Sequence, residues 1–306
     1  MKRYAAIVAL TVGLMTSAFA SVCSSASEKS LDNPQSKSVP NKPITGAAKG
    51  QAEQETSQQR KKILEEAVSA IQETKKALKA LDDKKPDEAL KALERATGKL
   101  NILLARDSQM ALAPIDVAVV SRDVYATMDQ IKAVRKQAED YLENGELQKA
   151  RLLIRELGSE IVISVTSLPL QTYPAAIAAV TPLIDKGKNE EAKEALQAAL
   201  NTLVVSDHIM SLPLIRSEEK LAKAEELAQK DARSDEDNKS LTKLLEEARE
   251  QLQLSEVLGY GTKKDYKKFY VEIEQIEDKT KTGKSAKGIF APLKEYLSDL
   301  KRSLFS

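Results

Sequence analysis

The chain has 306 residues, with 47 Lys and Arg against 46 Asp and Glu, 42% hydrophobic and 30% charged residues. That inventory suits a packed core, and the net charge of +1 argues against a dedicated nucleic-acid binder, whose affinity rests on a basic face. One His and one Cys cannot furnish the three or four ligands of an ordinary zinc site, and a Ser-His-Asp or Cys-His machine is excluded unless His208 is its base.

Residues 1–20 read as a signal peptide. Lys2 and Arg3 form a charged start, Tyr4 to Met15 an apolar stretch too short to span a bilayer, and Ala18-Phe19-Ala20 a small-residue cleavage site. Cleavage there would take the net charge from +1 to about −1. The reading implies export through the inner membrane to the periplasm. No later segment is apolar for the roughly 18 residues of a transmembrane helix, so none is expected. Cys23 follows the expected cut by three residues. A lipid anchor there is not expected, because Val22 is a poor fit directly before an acylated Cys; a free or intermolecularly paired thiol is. Residues 21–56, rich in Ser, Lys, Gln and Asn with Pro34, Pro40 and Pro43, read as a disordered linker.

From residue 57 to 306 a helical domain is expected. Leu64, Val68, Ile71, Leu78 and Leu81 share one helix face, and so do Leu90, Leu93, Leu100 and Leu104. Between them Lys84-Lys85-Pro86 breaks the pattern, and Pro86 suits a first helical turn. The two segments should form an antiparallel hairpin. Its corner, Leu81 to Ala89, recurs at Leu142 to Ala150 and at Ile184 to Ala192. Each copy has an apolar residue, an acid, a tight polar turn, and an Ala where two helices must approach closely. The spacings of 61 and 42 residues depart from the tetratricopeptide period of about 34, so these are three related corners and not a regular solenoid.

After each corner comes a β-branched run with a Pro nearby. The segments Ile115 to Val120, Ile161 to Thr166 and Leu203 to Val205 read as short strands or as interhelical loops. The fold class is therefore mainly α: helical hairpins packed around a small extended or β element. Beyond Arg216, helices are expected at about 217–231, 240–258, 263–281 and 286–304, with Ser217 and Ser240 as N-caps and Gly259, Gly261, Gly283 and Gly288 as punctuation. The stretch from Arg216 to Glu256 carries a charge of about −4 and that from Lys263 to Arg302 about +4, which favours their packing together or meeting across subunits.

His208 reads as a hydrogen-bonded structural residue or, less simply, as a proton sensor. Tyr260, Tyr266, Phe269 and Tyr270 among lysines could form an aromatic-basic surface, but their helical spacing with Ile273 reads as a core stripe. Phosphate loops, His-Glu metal motifs and elbow serines are absent from the sequence, so no catalytic, cofactor or metal residue is assigned and an enzyme is not expected. With 46 acids and one His, any acid response should come from carboxylates at about pH 4–5.

The stretch Ala80-Leu81-Asp82 with Asp87-Glu88-Ala89-Leu90-Lys91-Ala92-Leu93-Glu94-Arg95-Ala96-Thr97-Gly98-Lys99-Leu100 and Leu103 to Asp107 resembles the signature of the YfdX family. Pro114-Ile115-Asp116-Val117, Ser164 with Leu168-Pro169-Leu170, and Tyr173-Pro174 extend the likeness, which covers roughly residues 57–305. The resemblance implies a helix-rich, exported protein of Gram-negative bacteria associated with acid and heat stress, and it implies no catalytic residues. The expected function is a non-enzymatic periplasmic stress-tolerance protein, a homo-oligomer acting as chaperone or scaffold for unfolded envelope proteins. The alternative is a periplasmic binder of small apolar ligands.

Overall fold

The computed structural model describes residues 46–281 and 286–304. The expected signal peptide, Cys23, most of the expected linker and Gly283 lie outside the described residues.

The first helix, α1 (Gly46–Arg60), falls where the sequence predicts the end of a disordered linker. Its apolar side chains are only alanines, Ala47, Ala48 and Ala52, too small to register as a helical stripe, and of these Ala48 and Ala52 face inward. Both are nevertheless buried, because small side chains let the helix lie close to the sheet. Then α2 (Glu65–Asp82) and α3 (Pro86–Arg106) form the expected hairpin, with Pro86 in the first turn of α3. Strand β1 (Leu112–Arg122) leads to a second hairpin of α4 (Met128–Glu143) and α5 (Leu147–Glu156). Strand β2 (Glu160–Pro169) leads through α6 (Tyr173–Ala178) into the third corner, α7 (Thr181–Asp185) and α8 (Asn189–Leu200), which ends in β3 (Val204–Ser211). Helices α9 (Leu212–Ala228), α10 (Asp235–Leu258), α11 (Lys263–Thr280) and α12 (Ala291–Leu304) follow.

The three corners share one backbone. At the fourth position Lys84, Gly145 and Gly187 all adopt left-handed φ, at 57°, 73° and 71°. In each, the residue after it donates back to a carbonyl five residues earlier: Lys85 to Ala80, Glu146 to Tyr141, Lys188 to Leu183, at 2.8–2.9 Å. The left-handed residue itself donates to the carbonyl three before it. This is a Schellman stop, which satisfies helix-end carbonyls that would otherwise lack partners. Nine residues into each corner, Ala89, Ala150 and Ala192 are fully buried, as the close helix approach requires.

The extended segments do pair. Together β1, β2 and β3 form an antiparallel three-stranded sheet with β2 central, in which Val117 faces Val165 and Ile163 faces His208. A register shift at Pro114–Asp116 places Pro114 on the edge strand, and Pro169 ends β2. By contrast, Pro213 lies in the first turn of α9, where Ser211 caps Leu214. A Ser followed two residues later by Pro serves here as a helix start, so the third Pro motif is a strand-to-helix junction.

That cap replaces the expected Ser217, which is buried within α9. Likewise α10 starts at Ser234 and not at Ser240. Ser234 and Asp237 form a reciprocal capping box, and Asp235, Glu236 and Asp237 fill the first turn, where acids are favoured by the helix dipole. Asp235, Glu236 and Asp237 are thus the head of α10, which begins five residues before the start expected at 240.

Two large cores result. One joins α2 and α3 to α6–α8 through Leu81, Leu93, Leu100, Tyr173 and Leu196. The other unites α9–α12 through Leu245, Tyr266, Phe269, Phe290 and Leu297. The opposed charges of the C-terminal segments meet within the chain: Lys294 pairs with Glu225 at 2.5 Å, Lys287 with Asp231 at 3.4 Å, and Lys301 with Glu218.

Candidate functional site

Alternation along the strands gives the sheet two unlike faces. Val117, Ile161, Ile163 and Val165 point to the inner face and pack with Ala48, Ala52, Leu212 and Ile215 of α1 and α9. The opposite face carries Ala118 and Val120 on β1, Val162, Ser164 and Thr166 on β2, and Val205 and Ile209 on β3. Val120 and Val205 are exposed, and Tyr125 just beyond β1 is among the most exposed aromatics of the described residues. Across this face Ser164 donates to Asp207 at 2.6 Å. The result is an apolar strip with charge at its margins, Asp207 on one edge strand and Arg122 on the other. Such a strip can hold extended apolar chain but offers no group to attack it.

His208 sits on the inner face opposite Ile163, half-buried at a groove of about 370 Å³ between α1, β3 and α12. Gln51, Gln54 and Gln58 line one wall, Met210, Leu214 and Ile215 the floor, and Lys301 the rim. Neither a Cys nor a Ser–Asp pair completes a nucleophilic arrangement around the imidazole in this lining. No cluster of three or more His, Cys, Asp or Glu side chains is placed to hold a metal ion among the described residues.

A buried polar network lies at the other end of the sheet. Asp123, just past β1, binds Arg216 of α9 through both oxygens, at 2.5 and 3.3 Å, and accepts from the Ser159 hydroxyl at 2.6 Å. The Ser159 amide donates to the Tyr260 hydroxyl at 2.9 Å, and that hydroxyl donates to Glu160 at 2.8 Å. Burial, reinforced by the Glu160 charge, pushes the Tyr260 phenol far above its ordinary range. It therefore remains a neutral donor. The Tyr266 hydroxyl donates to the Tyr260 carbonyl and is hydrogen-bonded to the Ser255 hydroxyl at 2.8 Å, and burial raises its phenol too. Every member of this network is held by another, which is the pattern of a structural clasp joining sheet to C-terminal helices.

Of the sequence-flagged residues, the aromatic group resolves as core: Tyr266, Phe269 and Ile273 are buried and the neighbouring lysines face out. Tyr270 donates to Glu256 at 2.7 Å. Asp123, Ser159 and Arg216 were not singled out in the sequence, since 93 residues separate Asp123 from Arg216 and neither stands in a motif.

Geometry and fold together define a mainly helical protein of repeated helix–turn–helix corners, each leading into a strand of one small sheet. Residues 70–209 match the model of the YfdX protein family. The match runs from α2 into β3, so α9–α12 lie beyond it and it is shorter than the resemblance read from sequence. The chain is also similar to a solved structure of YfdX from Salmonella Typhi, with 17% identity over 49% of this chain and 93% of that one, at a TM-score of 0.34. No curated protein matches it. Among the described residues no helix is long and apolar enough to cross a membrane.

Proposed function

We propose that this protein is a non-enzymatic, periplasmic stress-tolerance protein that shields unfolded envelope proteins during acid or heat stress. The observation that supports this most is the uncovered apolar face of the sheet, with Val120 and Val205 exposed. A sheet face flanked by two edge strands suits an extended apolar segment, since it offers alternating pockets and nearby backbone groups. The match of residues 70–209 to the YfdX family and the export signal read in the sequence are consistent with this role. The reading is tested by light scattering of an aggregating client protein at 45 °C and at acid pH, with cell fractionation to locate the protein. Wild type should suppress aggregation, and Val120→Asp with Val205→Asp should abolish suppression without lowering Tm. Undiminished suppression by that double variant would refute the assigned surface.

The groove beside His208 supports a second reading, a small apolar ligand held between α1, β3 and α12. Saturable binding of an apolar fluorescent dye, lost in Met210→Trp and unaccompanied by aggregation suppression, would favour it.

A further inference from the structure

The geometry points to a second docking surface: the tip of the α4–α5 hairpin pairs with the same hairpin of a second copy of this chain. The observation is a mismatch among three related corners. In sequence register, Leu81, Leu142 and Ile184 hold the first apolar position of each corner, and Leu93, Ile154 and Leu196 hold the second. In the first and third corners these residues are at most 4% exposed, whereas Leu142 is 45% and Ile154 50% exposed. The same pattern is buried twice and open once.

What buries the first and third corners is each other. Helix α2 packs on α8 and α3 packs on α7, so the first helix of each corner lies on the second helix of the other. That reciprocal arrangement is the one a two-fold axis generates between identical units. A cross-corner ion pair seals it, Lys193 to Asp82 at 2.8 Å. Among the described residues the second corner has no such counterpart. Its contact to α10 involves the early turns of α4, where Ile131 is buried and Arg135 donates to the Val257 carbonyl at 3.0 Å, and leaves the tip exposed.

Charge identifies the occupant. In register, Asp82 corresponds to Glu143 and Lys193 corresponds to Arg151, both of them exposed. Two second corners brought together as the first and third are would place Glu143 against Arg151 of the partner subunit, and the reverse pair forms by symmetry. One hairpin therefore carries both halves of the ion pair that its siblings share between them. An unfolded client segment would need no such matched pair; a second copy supplies it. The surface lies apart from the open sheet face, so self-pairing and client shielding are separable.

The test is sedimentation of the protein purified from periplasm under reducing conditions, which removes any Cys23-linked species. Wild type should be dimeric or a multiple of two, and Ile154→Glu should weaken association by about a hundredfold while leaving Tm unchanged. Glu143→Arg and Arg151→Glu should each weaken it by about tenfold, and the double reversal should restore it to within about threefold, because the pair is rebuilt with opposite sign. A wild type that stays monomeric up to about 100 μM overturns the inference. So does an oligomer indifferent to Ile154→Glu, or a double reversal no better than its parents. Failure of Val120→Asp with Val205→Asp to affect shielding would leave these outcomes untouched.

Discussion

Lys84 occupies a left-handed backbone position that its two counterparts fill with glycine, and replacing it should stabilise the protein. An L-residue in that region pays about 1–2 kcal/mol for the approach of its Cβ to the following carbonyl. Glycine avoids this but loses about 0.5–1 kcal/mol more conformational entropy on folding. The difference leaves Lys84→Gly more stable by about 0.5–1 kcal/mol. Lys84 is exposed, so no packing is surrendered. The reverse experiment is available at the other corners. A Cβ built on Gly145 or Gly187 meets nothing within 4 Å, so Gly145→Ala and Gly187→Ala isolate the backbone cost without a clash. Each should destabilise by about 1 kcal/mol. For a chain of this size that corresponds to a Tm change of about 2–4 °C, upward for Lys84→Gly and downward for the two Ala variants, read by calorimetry or circular dichroism. A lowered Tm for Lys84→Gly, or neutral Gly→Ala variants at both corners, would refute the equivalence of the three turns.

Three further outcomes are expected. Asp123→Ala should cost about 3–5 kcal/mol, measured by urea unfolding, because it strands the Arg216 guanidinium in the interior; a loss below about 1 kcal/mol would contradict the clasp. Acid should weaken the fold below about pH 4.5. Lys76 and Arg95 hold the Glu73 carboxyl below its usual value, while Thr262 does so for Asp265 and Lys230 with Ser234 for Asp237. Carboxyls depressed in the fold contribute stability above their unfolded values, 4.5 and 3.8, and lose it as pH falls through the folded ones. His208→Ala should leave that acid midpoint in place, and a midpoint that moves in this variant would make His208 the sensor. Finally, Tyr266→Phe should lose about 1–3 kcal/mol in the same unfolding assay, since the Ser255 hydroxyl and the Tyr260 carbonyl both forfeit a buried hydrogen-bond partner.

Much of the helical framework was legible along the chain. The period of Leu64 to Leu81 and Leu90 to Leu104, the start at Pro86, the buried alanines at 89, 150 and 192, and the core stripe of Tyr266, Phe269 and Ile273 all depend on neighbours within a turn or two of helix. Such local signals survive being read one residue after another. Other features did not. Ala48 and Ala52 were illegible because a small side chain marks a close approach only once the opposing surface exists. The capping role of Ser234 was hidden because an acidic run reads alike as linker and as first helical turn.

The sequence by itself determined the three corners, the helices they join and the balance of charge between the C-terminal segments, because helix periodicity, capping and sign of charge are properties of contiguous residues. Only the tertiary structure decided that the β-branched runs pair in one sheet with an open face, that Asp123 meets Arg216, and that two corners bury each other while the third stays exposed. Those outcomes depend on partners tens of residues away, and a side chain carries no local mark of which distant surface will reach it.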